Sequence, residues 1–122
     1  MTRYWAVSDE LASDPSKSLN LLSTVAQGQA LAQRRVILTT YTSNGWVQKG
    51  AVVVSDVKAS TSNGHAFAVS ACVDVSAVDL VDKNGVSQVP ASRPDQQRFT
   101  YTVSKTTKGF FVTTDTLKGK PC

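Results

Sequence analysis

The spacing of apolar residues changes once along this 122-residue chain, close to Asn44-Gly45. Before that point, apolar residues recur every three or four positions, which is the spacing of a helix with one buried face. After it they alternate with polar residues, which is the spacing of a strand. Helices that precede a run of strands pack on one face of the sheet. The pattern therefore predicts an α+β fold in one domain over residues 1–122, with N-terminal helices on a mostly antiparallel sheet of about four strands.

Turn and capping residues divide the helical half. The first helix is predicted over Arg3–Ala12, and Asp14, just before a proline, is predicted to be the N-cap of the next helix. This second helical region runs to about Ser43, and Gly28 is the position at which it would divide into two helices. Gly45 is predicted to end it, because glycine tolerates the left-handed conformation found at helix C-termini.

Four strands are predicted in the second half of the chain. They are Trp46–Ala59 (interrupted by Gly50), His65–Val81, Gln97–Lys105 and Phe110–Thr116. In the second of these, alternate residues belong to opposite faces of the sheet. Its apolar face carries Phe67, Val69, Ala71, Val73 and Val75, and its other face carries Ser70, Cys72, Asp74 and Ser76. Cys72 is therefore predicted to point away from the main core.

The chain has two cysteines, Cys72 and Cys122. They are too far apart in sequence for a CxxC motif, and the single histidine, His65, leaves no metal-ligand set, so no metal site is predicted. The even number favours a disulfide that ties the C-terminal tail to the sheet, and such a bond persists in an oxidising compartment. The alternative is two unrelated thiols in a cytosolic protein.

The formal net charge is +4 and the pI is about 9.3, but the basic residues are dispersed. A solvated surface explains that dispersion better than a nucleic-acid site, which would interleave basic residues with exposed aromatics. No apolar run approaches the length of a membrane span. The first residues do not have the pattern of a signal peptide. An exported, disulfide-bonded protein would therefore have lost a leader, and its only membrane attachment would be that leader or a lipid anchor.

The predicted order of helices and sheet resembles the nuclear-transport-factor-2-like superfamily, whose curved sheet and helices form a cystatin-like cone. More narrowly, the chain is similar to small secreted proteins and lipoproteins of actinobacteria. The segments that carry this similarity are Cys72-Val73-Asp74-Val75-Ser76, Asp82-Lys83-Asn84-Gly85, Arg93, Tyr101-Thr102-Val103, Gly109-Phe110-Phe111-Val112 and Lys118-Gly119-Lys120-Pro121-Cys122. Phe111 departs from the pattern, which has tryptophan there. The resemblance implies an extracytoplasmic location, either secreted or anchored to the cell surface.

Members of that superfamily use the cone for catalysis or for binding, so the fold does not decide the function. A ketosteroid-isomerase-like site needs a carboxylate base inside the pocket. The strand carboxylates Asp56, Asp74 and Asp79 are scattered, and His65 lies in a predicted hairpin turn. No residue is therefore assigned a catalytic role, no cofactor is expected, and the protein is predicted not to be an enzyme.

Two non-enzymatic hypotheses remain. The first is a non-catalytic interaction or scaffold domain of the cell envelope, by analogy with the assembly domains of conjugation and secretion machines. Its partner would be an envelope protein, bound to the sheet or to the pocket, or a second copy of the chain, bound to the sheet face of Cys72. The second is a carrier of a small ligand in the cone pocket, with Trp5, Tyr41, Phe67 and Phe99 as lining residues. The same aromatic side chains would also be explained by a filled core.

Overall fold

The computed structural model describes residues 1–119 and 122; Lys120 and Pro121, part of the C-terminal run singled out in the sequence, lie outside the described residues. Within that part of the chain there are two α-helices, one 3-10 helix and six strands. Their bounds are α1 Thr2–Ser13, the 3-10 helix Leu19–Thr24, α2 Gly28–Asn44, β1 Val47–Lys49, β2 Val53–Thr61, β3 Ala66–Asp74, β4 Asp79–Val81, β5 Gln96–Thr106 and β6 Gly109–Leu117.

Four of the strands form one antiparallel sheet in the order β2-β3-β5-β6, and the short strands β1 and β4 pair with each other in a separate ribbon. The predicted α+β architecture is confirmed, and so is the predicted sheet of about four strands. Two turns that the sequence indicated join its strands: residues 62–65 connect β2 to β3, and residues 107–108 connect β5 to β6.

The main core lies between one face of the sheet and a layer formed by α1, the segment before α2 and the first turn of α2. Its buried members are Tyr4, Trp5, Val25, Ala26, Ala30, Val69, Ala71, Val73, Tyr101 and Val112. The predicted apolar face of β3 is therefore the core face. A smaller cluster of Leu11, Ala12, Leu22 and Leu38 joins the two helices and the 3-10 helix to one another. The structure contains no helix both long and apolar enough to cross a membrane within the described residues.

The prediction of a helix capped by Asp14 is wrong. Asp14 ends α1 in an extended conformation, and its carboxylate accepts hydrogen bonds from the backbone N–H and the hydroxyl of Ser16. This local turn competes with helix formation, as short polar side chains often do. The chain then forms only the 3-10 helix, which Ser18 caps, and α2 begins at Gly28. Gly45, with φ 71°, ends α2 as predicted.

Two of the predicted strands are each two strands in the structure. Residues 46–59 divide into β1 and β2, which belong to different sheets, and residues 65–81 divide into β3 and β4. Gly50 explains the first division, because its φ of 77° is a conformation that an extended strand does not contain. The ribbon of β1 and β4 therefore leaves the main sheet.

The substitution Gly50→Ala tests whether the backbone conformation of Gly50 separates β1 from β2. A Cβ at this position would lie 1.9 Å from the carbonyl oxygen of Ala77, so Gly50→Ala must displace backbone as well as strain φ. We expect it to lower the free energy of unfolding by about 2–3 kcal/mol in chemical denaturation. Gly85→Ala is the matched control, because Gly85 has φ 78° but open space around it. Equal losses for the two variants would show that the close contact at Gly50 contributes nothing.

A disulfide joins Cys72 in β3 to Cys122, with 5.7 Å between the two Cα atoms, as the even number of cysteines suggested. Cys72 lies outside both core clusters, and the side chain is nevertheless buried. On the same sheet face, Arg98 donates to the hydroxyl of Ser70 at 2.9 Å and to the carboxylate of Asp56 at 2.8 Å. The face opposite the helices is thus polar and held by cross-strand contacts, and association of two copies through it stays a prediction.

The two edges of the main sheet differ. At the β6 edge, the backbone N–H of Gln27 donates to the carbonyl of Val112, and the N–H of Val112 donates to the carbonyl of Val25, both at 2.9 Å. The segment before α2 therefore covers that edge. At the other edge, no strand of the described chain pairs with the outer side of β2, whose residues are almost all exposed.

Candidate functional site

A buried polar cluster lies between α1, α2 and β6. The hydroxyl of Tyr4 donates to Asp115 Oδ2 at 2.5 Å, and Arg34 Nε lies 3.7 Å from the same oxygen. The Asp115 side chain is 0% exposed and that of Arg34 is 11% exposed, so this is an ion pair inside the protein. Neither Arg34 Nε nor Asp115 Oδ1 has a hydrogen-bond partner among the described residues. The pair is therefore charged, buried and incompletely hydrogen-bonded.

Aromatic rings surround this ion pair. The Arg34 guanidinium lies 4.4 Å from the centre of the Trp5 ring, and the indole N–H of Trp5 donates to the hydroxyl of Tyr101 at 2.9 Å. Burial raises the pKa of Tyr4 and of Tyr101 well above that of an exposed tyrosine, although Arg34 acts in the opposite direction on both. Both phenols therefore stay protonated at physiological pH and keep their role as hydrogen-bond donors.

Of the adjacent residues Tyr4 and Trp5, Tyr4 lines one concavity and Trp5 lines another. The first is a groove of about 670 Å³, here called the apolar groove. It is lined by Met1, Arg3, Tyr4, Thr24, Val25, Val57, Ala59, Phe67, Val69, Val103, Lys108, Gly109, Phe110 and Val112. The second is a cavity of about 240 Å³, here called the arginine cavity. It is lined by Trp5, Ser8, Asp9, Arg34, Tyr41, Gln48, Val52, Val73, Val75, Val78, Leu80, Gln88, Val89, Pro90, Arg93, Gln97 and Phe99.

The four aromatic residues expected to line one pocket are divided between these two concavities. Trp5, Tyr41 and Phe99 lie around the arginine cavity, whereas Phe67 lies in the apolar groove, where its ring centroid is 5.9 Å from that of Phe110. Trp5 and Phe99 pack edge to face with centroids 5.8 Å apart. Part of the predicted pocket is therefore filled by the aromatic residues themselves.

Among the described residues, Asp9 is the one carboxylate that lines the arginine cavity. Its two oxygens accept hydrogen bonds from Gln48 Nε2 at 2.7 Å and from the backbone N–H of Val52 at 3.1 Å. Burial raises the pKa of this carboxyl above its usual range, and these two hydrogen bonds oppose the shift. The contacts tie α1 to the chain on either side of Gly50, so Asp9 has a clear structural role.

The other acidic and basic candidates from the sequence lie outside both concavities. The Arg98 hydrogen bond lowers the pKa of Asp56, and the Ser76 hydrogen bonds lower that of Asp74, so both carboxylates are ionised at neutral pH. Asp79 accepts a hydrogen bond from the Ser87 hydroxyl at 2.6 Å. His65 is exposed in the turn between β2 and β3. Within residues 1–119 and 122, no three His, Cys, Asp or Glu side chains group as metal ligands would.

The apolar groove combines exposed apolar side chains with basic ones. Phe110 and Val57 are 59% and 50% exposed, and Lys105 Nζ lies 5.9 Å from the centre of the Phe110 ring. Arg3 and Lys108 also line the groove, and its lining includes no carboxylate among the described residues. The surface therefore suits an apolar group that carries or adjoins negative charge.

No motif in the sequence marks Arg34, Asp115, Arg3 or Lys108 as members of a site. One signal for Arg34 was present: Ala30, Arg34 and Leu38 follow one another at four-residue intervals, and the first and last are buried. An arginine on the buried stripe of a helix requires an internal partner. The partner, Asp115, is a single carboxylate in an otherwise uncharged strand.

The chain matches no protein-family model, and no curated protein sequence matches it. Solved structures do resemble it. The intermembrane space region of the chloroplast protein ARC6 has a TM-score of 0.68 at 16% identity, over 98% of this chain and 92% of that one. Kfla4162 of Kribbella flavida has 0.60 at 9% identity, over 95% and 85%. Aln2 of a Streptomyces species has 0.59 at 10% identity, also over 95% and 85%.

The similarity to these structures supports the predicted α+β fold, and membership of the nuclear-transport-factor-2-like superfamily stays a prediction. At such low identities the similarity concerns the fold alone, and folds of this kind serve unrelated functions. The function must therefore be argued from the two concavities and the charges in them.

Proposed function

We propose that this domain is a non-catalytic interaction module of the cell envelope, and that its apolar groove binds an extended, acidic segment of a partner protein. The observation that carries the proposal is the composition of the groove: exposed apolar side chains with Arg3 and Lys108 and, among the residues described, without a carboxylate. Four features indicate what kind of partner it binds: the apolar floor of the groove, its charge, the free strand edge beside it, and the disulfide.

The apolar floor of the groove supports a binding role. Phe110 and Val57 belong to β6 and β2, the two outer strands of the sheet, and both leave at least half of their surface in water. Contiguous exposed apolar surface in a concave site is typical of a binding region. A partner's apolar side chain placed against Phe67 and Phe110 would remove this surface from water and so contribute affinity.

The charge of the groove selects the partner. Within the described residues, no carboxylate lies within 4 Å of a side-chain nitrogen of Arg3 or Lys108. The whole chain carries a formal charge of +4. An acidic segment is therefore attracted over a distance and oriented at the groove, whereas a basic one is repelled.

The free edge of β2 favours an extended segment. β2 contributes Val57 and Ala59 to the groove, and its outer backbone N–H and C=O groups have no strand partner among the described residues. A peptide that adds a strand to such an edge gains backbone hydrogen bonds and places alternate side chains toward the sheet face. The same geometry would bring those side chains over the floor of the groove.

The disulfide supports a location outside the cytoplasm, since such bonds persist in oxidising compartments. The neighbour from a chloroplast protein is a region of an intermembrane space, so the cone fold occurs in a domain of a similar setting. A secreted or surface-anchored lipoprotein, and a kinship with the assembly domains of conjugation or secretion machines, are the finer forms of this proposal. They rest on analogy of fold.

A catalytic role has less support. The carboxylate in the arginine cavity, Asp9, accepts hydrogen bonds from the protein at both oxygens, and the single histidine is exposed in a turn that lines neither concavity. Among the described residues, neither concavity is lined by a histidine or by a second carboxylate that could share proton transfer with Asp9. We therefore propose a binding protein in preference to a ketosteroid-isomerase-like enzyme.

Selection from a random peptide display library tests the groove. We expect enriched peptides to combine aromatic or branched apolar residues with Asp or Glu, and their affinity to fall as ionic strength rises. Phe110→Ser and Lys108→Glu should each weaken a selected peptide at least about tenfold, because each removes a contact or reverses a charge in the groove.

Val86→Ser and Lys83→Glu are matched controls, because both residues are exposed and lie outside the two concavities. They should leave peptide affinity unchanged. Selected peptides without acidic residues, or equal losses for the groove and control variants, would contradict the proposal. A peptide footprint in the amide NMR spectrum on the opposite sheet face would also contradict it, since the binding surface would then be that face.

A further inference from the structure

The arginine cavity shares no described lining residue with the apolar groove. Two arginines line it, Arg34 from α2 and Arg93 from the segment between β4 and β5. We propose that it binds a small aromatic monocarboxylate, with the carboxylate held by the two guanidinium groups and the ring against Trp5 and Phe99. This inference does not depend on the function proposed for the groove.

Arg34 supplies a buried charge with unused hydrogen-bonding capacity. Its side chain is 11% exposed, and its Nε has no hydrogen-bond partner among the described residues. The nearest carboxylate oxygen, on Asp115, is 3.7 Å from Nε, which is beyond hydrogen-bond distance. A buried guanidinium that lacks a hydrogen-bond partner is stabilised by any acceptor that enters the cavity and bonds to it.

Arg93 supplies a charge held in a fixed position. Its Nη2 donates to the carbonyls of Val75 and Val78, at 2.9 Å in each case. No carboxylate of the described residues lies within 4 Å of its side-chain nitrogens. The backbone carbonyls thus orient the guanidinium but do not neutralise it, and a planar fork of this kind matches a carboxylate.

The remaining lining determines the shape and polarity of the ligand. Trp5, Tyr41 and Phe99 provide aromatic walls, and valines of β3 and its continuation provide apolar ones. The carboxylate in the described lining, Asp9, already accepts hydrogen bonds from Gln48 and Val52. The volume of about 240 Å³ admits a single small ring.

Tyr41 lines the same cavity as the two arginines. Burial raises the pKa of its hydroxyl, and the charges of Arg34 and Arg93 both oppose that shift. The Tyr41 side chain therefore lies within the electrostatic reach of both guanidinium groups. A small anion beside this hydroxyl would be attracted by the same two charges.

Benzoate is the probe that tests this site, and benzamide, which has the same ring and nearly the same shape without the charge, is its neutral control. In ¹⁵N-labelled protein we expect millimolar benzoate to shift the indole N–H resonance of Trp5 and the backbone resonances of Phe99. Benzamide should bind at least about tenfold more weakly, because it gains nothing from the two cations.

Arg93→Gln should weaken benzoate binding at least about tenfold, because it removes one of the two charges that hold the carboxylate. Arg35→Gln should not weaken it, although it removes the same charge from an exposed position beside Arg34.

Three results would each overturn the proposal: equal affinity for benzoate and benzamide, equal affinity of the two variants for benzoate, or no shift at millimolar benzoate. Shifts at Phe67 and Phe110 in place of Trp5 would also overturn it, since the ligand would then lie in the groove. Peptide binding to the groove is measured separately, so failure of one proposal leaves the other intact.

Discussion

Asp115→Ala is expected to lower the free energy of unfolding by about 3–5 kcal/mol, because it leaves the Arg34 charge without its counter-ion inside the protein. The substitution also removes the acceptor of the Tyr4 hydroxyl, which donates to Asp115 Oδ2 at 2.5 Å. Both remaining partners are largely buried and cannot turn to water without opening the junction of α1, α2 and β6. Urea denaturation followed by tryptophan fluorescence measures the loss.

Variants at Arg34 and Tyr4 separate the two contributions. Tyr4→Phe removes one hydrogen bond to a charged acceptor and should cost about 1.5–3 kcal/mol. The double variant Arg34→Met, Asp115→Ala should be more stable than the sum of its single variants predicts, since no uncompensated charge remains in it. Additive losses in this cycle, or a loss below about 1 kcal/mol for Asp115→Ala, would show that the ion pair is not the main constraint at this junction.

Reduction of the Cys72–Cys122 disulfide is expected to lower the free energy of unfolding by about 4 kcal/mol. The bond closes a loop with a sequence separation of 50 residues, and its loss returns that conformational freedom to the unfolded chain. For a domain of this size the change corresponds to a fall in melting temperature of roughly 15 °C. Calorimetry of the oxidised and the reduced protein measures the difference.

Cys122→Ser and Cys72→Ser should reproduce the effect of reduction, with the larger loss for Cys72→Ser. Cys72 is buried in the middle of the sheet, so a serine there adds the cost of a buried hydroxyl, whereas Cys122 is exposed at the chain end. Intact mass with and without reduction is the control for the oxidation state. Two free thiols in the folded protein, or one melting temperature for both states, would contradict the stabilising role and weaken the extracytoplasmic proposal.

The parts of the fold that the sequence predicted are those with a local cause. The helix at residues 2–13 follows from periodicity, whereas the end of α2 at Gly45 and the two hairpins follow from glycine or asparagine at turns. The alternation in β3 correctly separated its core face from the face of Cys72. These features need only a few neighbouring residues, so a single sequence contains them.

The parts that the sequence did not predict depend mostly on contacts between distant residues. The helix expected after Asp14 is replaced by a turn and a 3-10 helix because Asp14 bonds to Ser16 and Leu22 packs between the two helices. The candidate site was missed because Arg34 and Asp115 lie on α2 and β6, far apart in the chain. Nothing in the sequence near either residue indicates that the two side chains are buried together, as they are in the structure.

Because the two edges of the main sheet differ, they limit how many copies of the protein can join through strand pairing. Growth of a fibre requires two available edges in each molecule, one to join the preceding copy and one to join the next. Here the segment before α2 hydrogen-bonds to Val112 at the β6 edge, so among the described residues β2 is the open edge of the main sheet. Addition at β2 therefore ends after one step: we expect one segment per domain, or a pair of copies related by twofold symmetry, because the main sheet offers no second open edge from which pairing could continue.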